Sequence, residues 1–355
     1  MKRLEYIDAL RGWAIIGVVA SHSHQMFGNL SQLVKIVASN GAMGVRLFFI
    51  ISALTIFITV DKKKQDTKEL TSNFFIKRFL RIAPMYYLAI IYYIISNWFF
   101  LQKIDYEGIF SNLFFVHGLF PKTINSFVPG GWSITVEMFF YCLIPLIIRK
   151  INNLNNAVSF FIITCILRYI GIYITKRLLG DDGINGEFLY LFFPNQLPVF
   201  AIGIILYYLI IKKESINISP VNLISLVILM IISLMFKYYN LLLQEHLLFA
   251  YTFAVLIIFM SKKKIMLLDN KLIRFIGKIS FSVYIIHFIV LFWLQRINLT
   301  TIYQGSSTIN FFIYFLLTLI LSSAISYLTY EFVEKPFQKL GKKLTSNQEK
   351  PIFEK

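Results

Sequence analysis

The sequence predicts an all-α, polytopic membrane protein with about ten transmembrane helices and with its N- and C-termini in the cytoplasm. The apolar composition, the spacing of the apolar runs and the distribution of basic residues predict this class. Of the 355 residues, 57% are hydrophobic and only 15% are charged, whereas soluble chains carry about 25% charged residues. The mean hydropathy of +0.68 indicates that much of the apolar surface faces lipid, because a water-soluble core cannot enclose so many apolar side chains.

Apolar runs long enough to cross a bilayer recur along the chain. A transmembrane helix needs about 20 largely apolar residues. Ten segments satisfy this requirement, at roughly 7–27, 41–60, 82–101, 132–148, 154–175, 190–211, 219–236, 246–261, 279–296 and 308–331. A shorter apolar piece at 109–120 is expected to be re-entrant or interfacial.

The basic residues predict the orientation of these spans. If the N-terminus is cytoplasmic, 26 Lys and Arg residues fall in the inside segments, 7 fall in the outside segments, and Arg46 and Arg168 lie within spans. Cytoplasmic loops of membrane proteins carry such an excess. The net charge of +17 would suggest nucleic-acid binding in a soluble protein, but here the charges flank apolar runs and no nucleic-acid role is expected.

The chain is expected to form one transmembrane domain over residues 1–341, followed by a disordered, polar cytoplasmic tail over residues 342–355. The basic residues before the first apolar run resemble a signal peptide, but Arg11 interrupts that run and many spans follow, so an uncleaved first helix is predicted. Cys142 and Cys165 lie within apolar runs and have no metal-ligand spacing. We therefore expect no disulfide, no metal site and no permanently bound cofactor.

Ionisable residues within spans are functional candidates, because a charge is expensive in the membrane. Arg11 and His22 are eleven residues apart, close to three helical turns, so they face one side about 16 Å apart along the axis. They are placed near the cytoplasmic end and in the outer half of the first helix. The alternative is that Arg11 pairs with Asp8 while His22 is interfacial. His24 points to the opposite side from His22.

The fourth predicted helix carries a polar stripe. Ser133, Glu137 and Tyr141 are spaced four residues apart, which puts them on one helix face. The residue three positions after Ser133 is Val136, so Glu137 does not complete a capping box. Glu137 is therefore a functional candidate in the outer half of the span.

A basic cluster precedes the third predicted helix, which is expected to begin at about residue 82 after a cytoplasmic loop over 61–81. Lys77, Arg78 and Arg81 form this cluster, and the two arginines share a helix face. Two guanidinium groups on one face make a phosphate clamp. The alternative is ordinary anchoring at the cytoplasmic surface.

Further polar residues lie in the later spans. Ser280, Tyr284 and His287 share one face of the ninth predicted helix, either as substrate contacts or as interhelical hydrogen-bonding groups. Arg168 is expected to pair with a carboxylate or an anionic acceptor, and Arg46 has no assigned role. No phosphate-loop, HExxH or GxSxG motif is present, which argues against ATP-driven transport and the common hydrolase mechanisms.

Taken together, these segments resemble the acyltransferase-3 family of integral-membrane O-acyltransferases over nearly the whole chain. The matching segments are Arg11 with His22, the Gly44–Ser52 run, Arg78 and Arg81 before Pro84, Trp132-Ser133 with Glu137, Leu197–Gly203, Ser280 with Tyr284 and His287, and Glu334-Lys335-Pro336-Phe337. Arg46 and Ala53 depart from the residues usual in that family. The chain resembles the single-domain form, without the appended esterase-like domain of some members.

The resemblance implies transfer of an acyl group, usually acetyl, from cytoplasmic acyl-CoA to a hydroxyl of a cell-surface glycan or a lipid-linked sugar, in the bacterial cytoplasmic membrane. On this hypothesis acetyl-CoA is a co-substrate whose phosphates contact Lys77, Arg78 and Arg81, and Arg11 receives the inner part of the donor. His22 acts as general base, with Glu137 orienting its imidazole and a Tyr or Ser hydroxyl stabilising the oxyanion. Acylation of His22 itself is left open.

The main alternative function is a transporter or flippase for a lipid-linked sugar, since ten helices and buried charges would suit it equally. The basic pair Arg78 and Arg81 discriminates between the two, because a flippase has no reason to bind CoA. A receptor or scaffold would not require the buried histidine and glutamate side chains.

Overall fold

The computed structural model describes residues 4–61, 67–181, 183–216, 219–235, 244–300, 303 and 306–346. All regular secondary structure in these ranges is helical, and no strand occurs in them. The predicted all-α class is therefore confirmed.

The α-helices follow one another with short connections. In chain order they are α1 (Glu5–His24), α2 (Gln32–Asn40), α3 (Gly44–Asp61), α4 (Thr67–Leu101), α5 (Tyr106–Leu113), α6 (Gly131–Lys150), α7 (Leu154–Leu179), α8 (Gly183–Leu191), α9 (Phe193–Leu206), α10 (Pro220–Met235), α11 (Glu245–Lys262), α12 (Lys271–Lys278), α13 (Ser280–Arg296), α14 (Ser307–Thr329) and α15 (Lys335–Ser346). Short 3-10 turns occupy Gly41–Met43 and His117–Leu119, and π-helical turns occupy Tyr207–Ile211 and Tyr330–Glu334.

Each of the ten predicted spans falls on a helix, but the number of ten is not confirmed. Among the described residues, seven helical stretches are long and apolar enough to cross a membrane, or eight if the pair α12 and α13, bent by 77°, counts as one span. Helix α1 is not among them, and its Glu5, Asp8 and Arg11 lower its hydropathy. Helix α10 is apolar along its length, and the stretch of it that counts among these residues, Pro220–Leu229, is shorter than a span.

The prediction that residues 61–81 form a loop is wrong for residues 67–81. Helix α4 begins at Thr67 and runs for 35 residues with Pro84 in its interior, so most of the predicted 61–81 loop is helical. Tertiary packing explains the extension: a Cβ placed on Gly341 of α15 would lie 3.4 Å from the side chain of Leu80. This close approach supports the helix on the N-terminal side of the proline.

Two other predicted connections also contain helix. The short apolar piece at 109–120 includes part of α5 and the 3-10 turn at His117–Leu119. Residues 342–346 of the predicted tail belong to α15, and residues 347–355 lie outside the described residues.

The helices form two compact units. Unit 1 comprises Met1–Gly44, Lys63–Ile104 and Asn270–Lys355, and unit 2 comprises Val45–Lys62 and Asp105–Asp269. Unit 1 thus contains the predicted Arg11, His22 and His287, while unit 2 contains Glu137 and Arg168.

Glycine contacts hold α1 in unit 1. A Cβ on Gly277 of α12 would collide with the carbonyl oxygen of Asp8, and one on Gly12 would collide with the carbonyl of Ile273. Small residues at a helix contact let the two backbones approach closely. Helix α1 is therefore seated directly against α12, which fixes the position of His22 farther along α1.

An aromatic stack forms the centre of unit 2. The ring of Phe200 in α9 lies 4.6 Å from the ring of Phe49 in α3 and 4.1 Å from the ring of Phe140 in α6. Gly203 of α9 lies so close to α3 that a Cβ would collide with the carbonyl oxygen of Ile50. These contacts hold together α3, α6 and α9, the helices that carry Arg46, Glu137 and Asn195.

Candidate functional site

His22 belongs to an imidazole pair in unit 1. Its ring lies 5.3 Å from the ring of His287 and 4.5 Å from the ring of Phe288, both in α13. The side chain of Gln25 lies beside it, and the imidazole remains partly exposed. His22 is therefore held by protein contacts while part of its surface remains exposed.

His287 is fully buried, with 0% of its surface exposed. Its Nδ1 lies 3.1 Å from the carbonyl oxygen of Val283. Because a carbonyl only accepts, Nδ1 carries the proton and Nε2 presents a lone pair. Nε2 has no hydrogen-bond partner in the part of the chain that the structure describes. Leaving a buried acceptor without a hydrogen bond costs free energy of folding. His287 is therefore a candidate for a functional residue.

The other two residues of the predicted α13 face are also buried. Ser280 is 5% exposed and Tyr284 is 6% exposed, and the ring of Tyr284 lies 5.9 Å from that of His287. The structure therefore assembles the predicted Ser280, Tyr284 and His287 face inside unit 1 and adds His22 to it, which spacing along the sequence alone could not show.

Arg11 forms the ion pair that the sequence left open as an alternative. Its Nη1 lies 3.9 Å from Oδ1 of Asp8, and the two side chains are 17% and 10% exposed. At this distance the attraction is modest, so the contact orients the guanidinium without preventing it from meeting another anion.

In unit 2, Glu137 accepts two hydrogen bonds from hydroxyl groups. The hydroxyl of Ser52 in α3 donates to Oε1 at 2.5 Å, and the hydroxyl of Tyr141, one turn along α6, donates to the same oxygen. Glu137 and Tyr141, which the sequence placed on one helix face, are thus hydrogen-bonded to each other. Ser52 was missed as a partner, although it ends the Gly44–Ser52 segment that carries the family resemblance.

Ser133, the third residue of the predicted stripe, has a different partner. Its hydroxyl donates to the carbonyl oxygen of Gly130 at 3.0 Å, at the first turn of α6. Tyr141 already donates to Glu137. Both hydroxyls therefore donate hydrogen bonds to groups within unit 2.

The predicted CoA-binding residues lie together on α4 in unit 1. Lys77, Arg78 and Arg81 are all partly exposed, and the guanidinium of Arg78 lies over the ring of Phe74 at 5.7 Å. Partial exposure leaves these cations available to a ligand. The structure therefore keeps the predicted cluster intact, on a helix instead of a loop.

A buried carboxylate accompanies this cluster. Glu334 is 4% exposed and accepts a hydrogen bond from the hydroxyl of Ser282, and the charge of Arg81 acts on it. In the sequence, Glu334 stands out only as part of a segment that resembles the family. An acid at the end of an otherwise apolar span was the signal that could have identified it.

Unit 2 also buries two arginine side chains. Arg46 is 2% exposed and Arg168 is 0% exposed. Arg46 lies over the rings of Trp132 and Tyr190 at 5.3 and 5.0 Å. Nε of Arg168 donates to Oδ1 of Asn195 at 2.7 Å. This partner is a neutral amide, whereas the sequence predicted a carboxylate or an anionic acceptor.

Two histidines that the sequence did not indicate as candidates, His117 and His246, form hydrogen bonds to backbone carbonyls in unit 2. His246 is 0% exposed, and its Nε2 lies 3.2 Å from the carbonyl oxygen of Asn195. His117 lies in the connection before α6, with Nε2 2.9 Å from the carbonyl oxygen of Gly131. Burial lowers the pKa of His117, and the hydrogen bond to Gly131 opposes that shift. His117 therefore fastens this connection to the start of α6.

Groups of three or more His, Cys, Asp or Glu side chains that could hold a metal ion do not occur within the described ranges.

Comparison with known proteins identifies the class of the chain. Residues 4–330 match the sequence profile of the acyltransferase-3 family, described as an acyltransferase domain. Since this match covers most of the sequence, the chain belongs to the acyltransferase-3 family, and the resemblance noted in the sequence is confirmed.

The relatives carry names that describe acetyl transfer. The chain is 25% identical to a "Putative O-acetyltransferase" of Staphylococcus aureus (strain COL), over 96% of this chain and 58% of that protein. It is 22% identical to the O-acetyltransferase OatA of Staphylococcus aureus (strain NCTC 8325 / PS 47), over 94% of this chain and 57% of that protein. The chain thus spans somewhat over half the length of these curated relatives. No solved structure matches it.

Proposed function

We propose that this chain is a membrane-embedded O-acyltransferase that moves an acetyl group from cytoplasmic acetyl-CoA to a hydroxyl of a cell-surface glycan or a lipid-linked sugar. Its proposed location is the bacterial cytoplasmic membrane. The observation that carries the proposal is the partly exposed His22, held against the buried His287 in a chain of the acyltransferase-3 family. The names of its relatives support acetyl as the group transferred.

In the proposed reaction His22 is the general base. One imidazole nitrogen takes the proton of the acceptor hydroxyl as its oxygen attacks the thioester carbonyl. A carbon–oxygen bond forms, the carbon–sulfur bond breaks, and the imidazolium returns the proton to the departing CoA thiolate. Neither an oxidant nor a metal is required for this balance.

His287 is the proposed positioning residue for this base. Its ring packs against His22 at 5.3 Å, and its hydrogen bond to Val283 fixes the ring on α13. A side chain held in this way restricts the orientations that His22 can adopt, which is the usual requirement for efficient proton transfer.

The proposed donor site is the cation cluster on α4. Lys77, Arg78 and Arg81 offer charge-assisted hydrogen bonds to the CoA phosphates, and the charge of Arg81 also acts on Glu334. Arg11, already oriented by Asp8, is proposed to contact the inner part of the donor. Glu137 is proposed to favour the protonated form of the catalytic base through its negative charge. Two hydroxyl groups hold its carboxylate in one orientation.

Radiolabelled acetyl-CoA tests this function. The purified protein in lipid nanodiscs is incubated with labelled donor and a panel of bacterial glycans and lipid-linked sugars. We expect label on an acceptor with the wild-type protein and its loss in His22→Ala. If a folded protein neither turns over nor binds acetyl-CoA, the acyltransferase assignment is wrong, and transport of a lipid-linked sugar is the function to measure next.

A further inference from the structure

Two helical stretches of unit 1 are longer than a bilayer requires. Helix α4 has 35 residues, about 52 Å along its axis. The stretch Ser307–Thr345, which contains α14 and most of α15, has 39 residues, about 58 Å. The hydrocarbon core of a bilayer is about 30 Å thick, and the apolar runs at 82–101 and 308–331 are long enough to fill it. The basic part of α4 before Pro84 and helix α15 therefore extend beyond this core.

These two extensions pack against each other. A Cβ placed on Gly341 of α15 would lie 3.4 Å from Cδ1 of Leu80 and 3.7 Å from Cα of Lys77. Nearer the apolar runs, the charge of Arg81 acts on Glu334, which comes just before α15. The contacts thus rise in residue number on one helix as they fall on the other, so α4 and α15 run antiparallel.

The contact with α4 fixes the direction of each lysine of α15. Gly341 is buried and Thr345 is 1% exposed, so the face that meets α4 is centred between them. Successive residues of a helix are about 100° apart, which places Lys342 about 80° from that centre and Lys339 about 140° from it. Lys342, which is exposed, therefore borders the contact, whereas Lys339 points away from α4.

Two cations of α4 border the same side of the contact. The face of α4 that meets α15 is centred between Leu80 and Lys77, and Arg81 lies about 70° farther round the helix from that centre. Antiparallel helices turn in opposite senses when viewed along one direction, so the rotations to Arg81 and to Lys342 lead to one side of the pair. Lys77, Arg81 and Lys342 therefore border one groove, the α4–α15 groove.

The α4–α15 groove concentrates positive charge. Lys77 and Arg81 are partly exposed and Lys342 is exposed. The two carboxylates just before α15 are engaged elsewhere: Glu331 pairs with Lys335, and Glu334 accepts a hydrogen bond from Ser282. Cations that converge on one groove from two helices attract a ligand with several negative charges.

The groove also has a direction relative to the proposed base. Ser282, the partner of Glu334, precedes His287 by five residues on α13, about 7.5 Å along the axis. The end of the groove at Arg81 and Glu334 is thus the end nearer to the imidazole pair, and the end at Lys77 and Lys342 is the farther one.

Acyl-CoA carries its negative charges in a matching order. Its diphosphate lies between the pantetheine arm and the adenosine, and its 3′-phosphate lies on the adenosine, at the end remote from the thioester. A donor whose thioester reaches His22 therefore brings its diphosphate to Arg81 first and leaves its 3′-phosphate farther out, between Lys77 and Lys342.

We propose that Lys342 recognises the 3′-phosphate of the acyl-CoA donor and makes the site specific for CoA over 3′-dephospho-CoA. The inference rests on the proposed function for the identity of the donor. A lysine suits this task, because its ammonium group acts as a point charge for a phosphate. Lys77 on the opposite side of the α4–α15 groove provides the second charge.

Direct binding with two matched probes tests this specificity. Wild-type protein in phosphatidylcholine nanodiscs is titrated calorimetrically with CoA and with 3′-dephospho-CoA, which lacks only the 3′-phosphate. We expect CoA to bind at least about tenfold more tightly, since a hydrogen bond between charged groups contributes at least that factor. Equal affinities would overturn the proposal.

Variants of one helix assign the difference to one lysine. Lys342→Gln should bind CoA as weakly as 3′-dephospho-CoA while its affinity for 3′-dephospho-CoA stays unchanged, and Lys342→Arg should retain the preference for CoA. The matched control is Lys339→Gln, an exposed lysine of the same helix that should behave as wild type. A preference for CoA that persists in Lys342→Gln would refute the role of this residue.

Should the Lys342 variants fail to fold, modification of the wild-type protein decides. An amine-reactive succinimidyl ester is added with and without each probe, and the labelled peptides are measured by mass spectrometry. CoA is expected to slow labelling of Lys342 at least about tenfold, and 3′-dephospho-CoA is expected to leave it unchanged. Equal labelling with both probes would overturn the proposal.

The two proposals fail in different ways. Binding of neither probe to the folded protein would remove acyl-CoA as the donor, and both proposals with it. Equal binding of the two probes, with acetyl transfer intact, would remove only the role of Lys342. A preference for CoA that depends on Lys342, without acetyl transfer to any acceptor, would leave this site standing and remove the enzyme function.

Discussion

Replacing His287 with phenylalanine tests whether His287 positions the imidazole of His22 or only contributes to the stability of the fold. Phenylalanine keeps a ring of similar size against His22 and removes the hydrogen bond from Nδ1 to Val283. It also removes Nε2, which has no hydrogen-bond partner among the described residues. Losing the hydrogen bond costs about 1 kcal/mol, while removing a buried orphan acceptor returns about 1–3 kcal/mol. We therefore expect the free energy of unfolding to be unchanged or up to about 2 kcal/mol higher.

Activity is expected to change in the opposite direction. If His287 positions His22 for proton transfer, kcat for acetyl transfer should fall by at least about tenfold, a fraction of the 10²–10⁴ that a general base contributes. The KM for acetyl-CoA should stay constant, because the proposed donor contacts, Arg11 on α1 and the basic cluster on α4, do not include His287. Purified wild-type and His287→Phe protein in nanodiscs would be compared by thermal unfolding and by labelled acetyl transfer at several donor concentrations. A variant with wild-type kcat and wild-type stability would show that His287 serves only in packing.

Three further predictions concern other parts of the molecule. Glu137→Gln should lower kcat at least about tenfold without unfolding the protein, since the amide oxygen still accepts from Ser52 and Tyr141; wild-type turnover would contradict a role for the charge. Arg81→Gln should raise the KM for acetyl-CoA about tenfold or more, because a charge-assisted hydrogen bond is worth about 1.5–3 kcal/mol; the exposed Lys339→Gln should not, and equal effects would refute a specific site. Burial lowers the pKa of His117, so the unfolded state binds more protons and stability falls as the pH drops below about 6.5; unfolding midpoints at pH 7 and pH 5 should converge in His117→Asn, and an unaltered pH dependence would exclude this imidazole.

The positions of the helices were largely predictable, because an apolar run of sufficient length is a local signal. The start of α4 was not, since the extension to Thr67 depends on packing between Leu80 and Gly341, far apart in the sequence. The predicted number of ten spans is not confirmed among the described residues, where seven or eight helical stretches are long and apolar enough to cross a membrane; α1 is not one of them, because it combines an apolar run with Glu5, Asp8 and Arg11.

The candidate site could be predicted only in part, because the sequence shows which residues share a helix but not which helices meet. Spacing along a helix identifies residues that share a face, and it correctly joined Glu137 to Tyr141. It cannot identify the partner that a face meets on another helix, so neither the pairing of His22 with His287 nor the bond from Ser52 to Glu137 followed from the sequence. Arg46 was noted only as a departure from the family, because its aromatic neighbours come from distant segments.

The most direct test of the central claim is the rate of labelled acetyl transfer in two neighbouring histidine variants. His22→Ala removes the proposed base, while His24→Ala removes a histidine two residues away whose Nδ1 contacts the carbonyl of Ser21. We expect His22→Ala to lose about two to four orders of magnitude in rate and His24→Ala to remain close to wild type. Equal rates in the two folded variants would show that His22 is not the base.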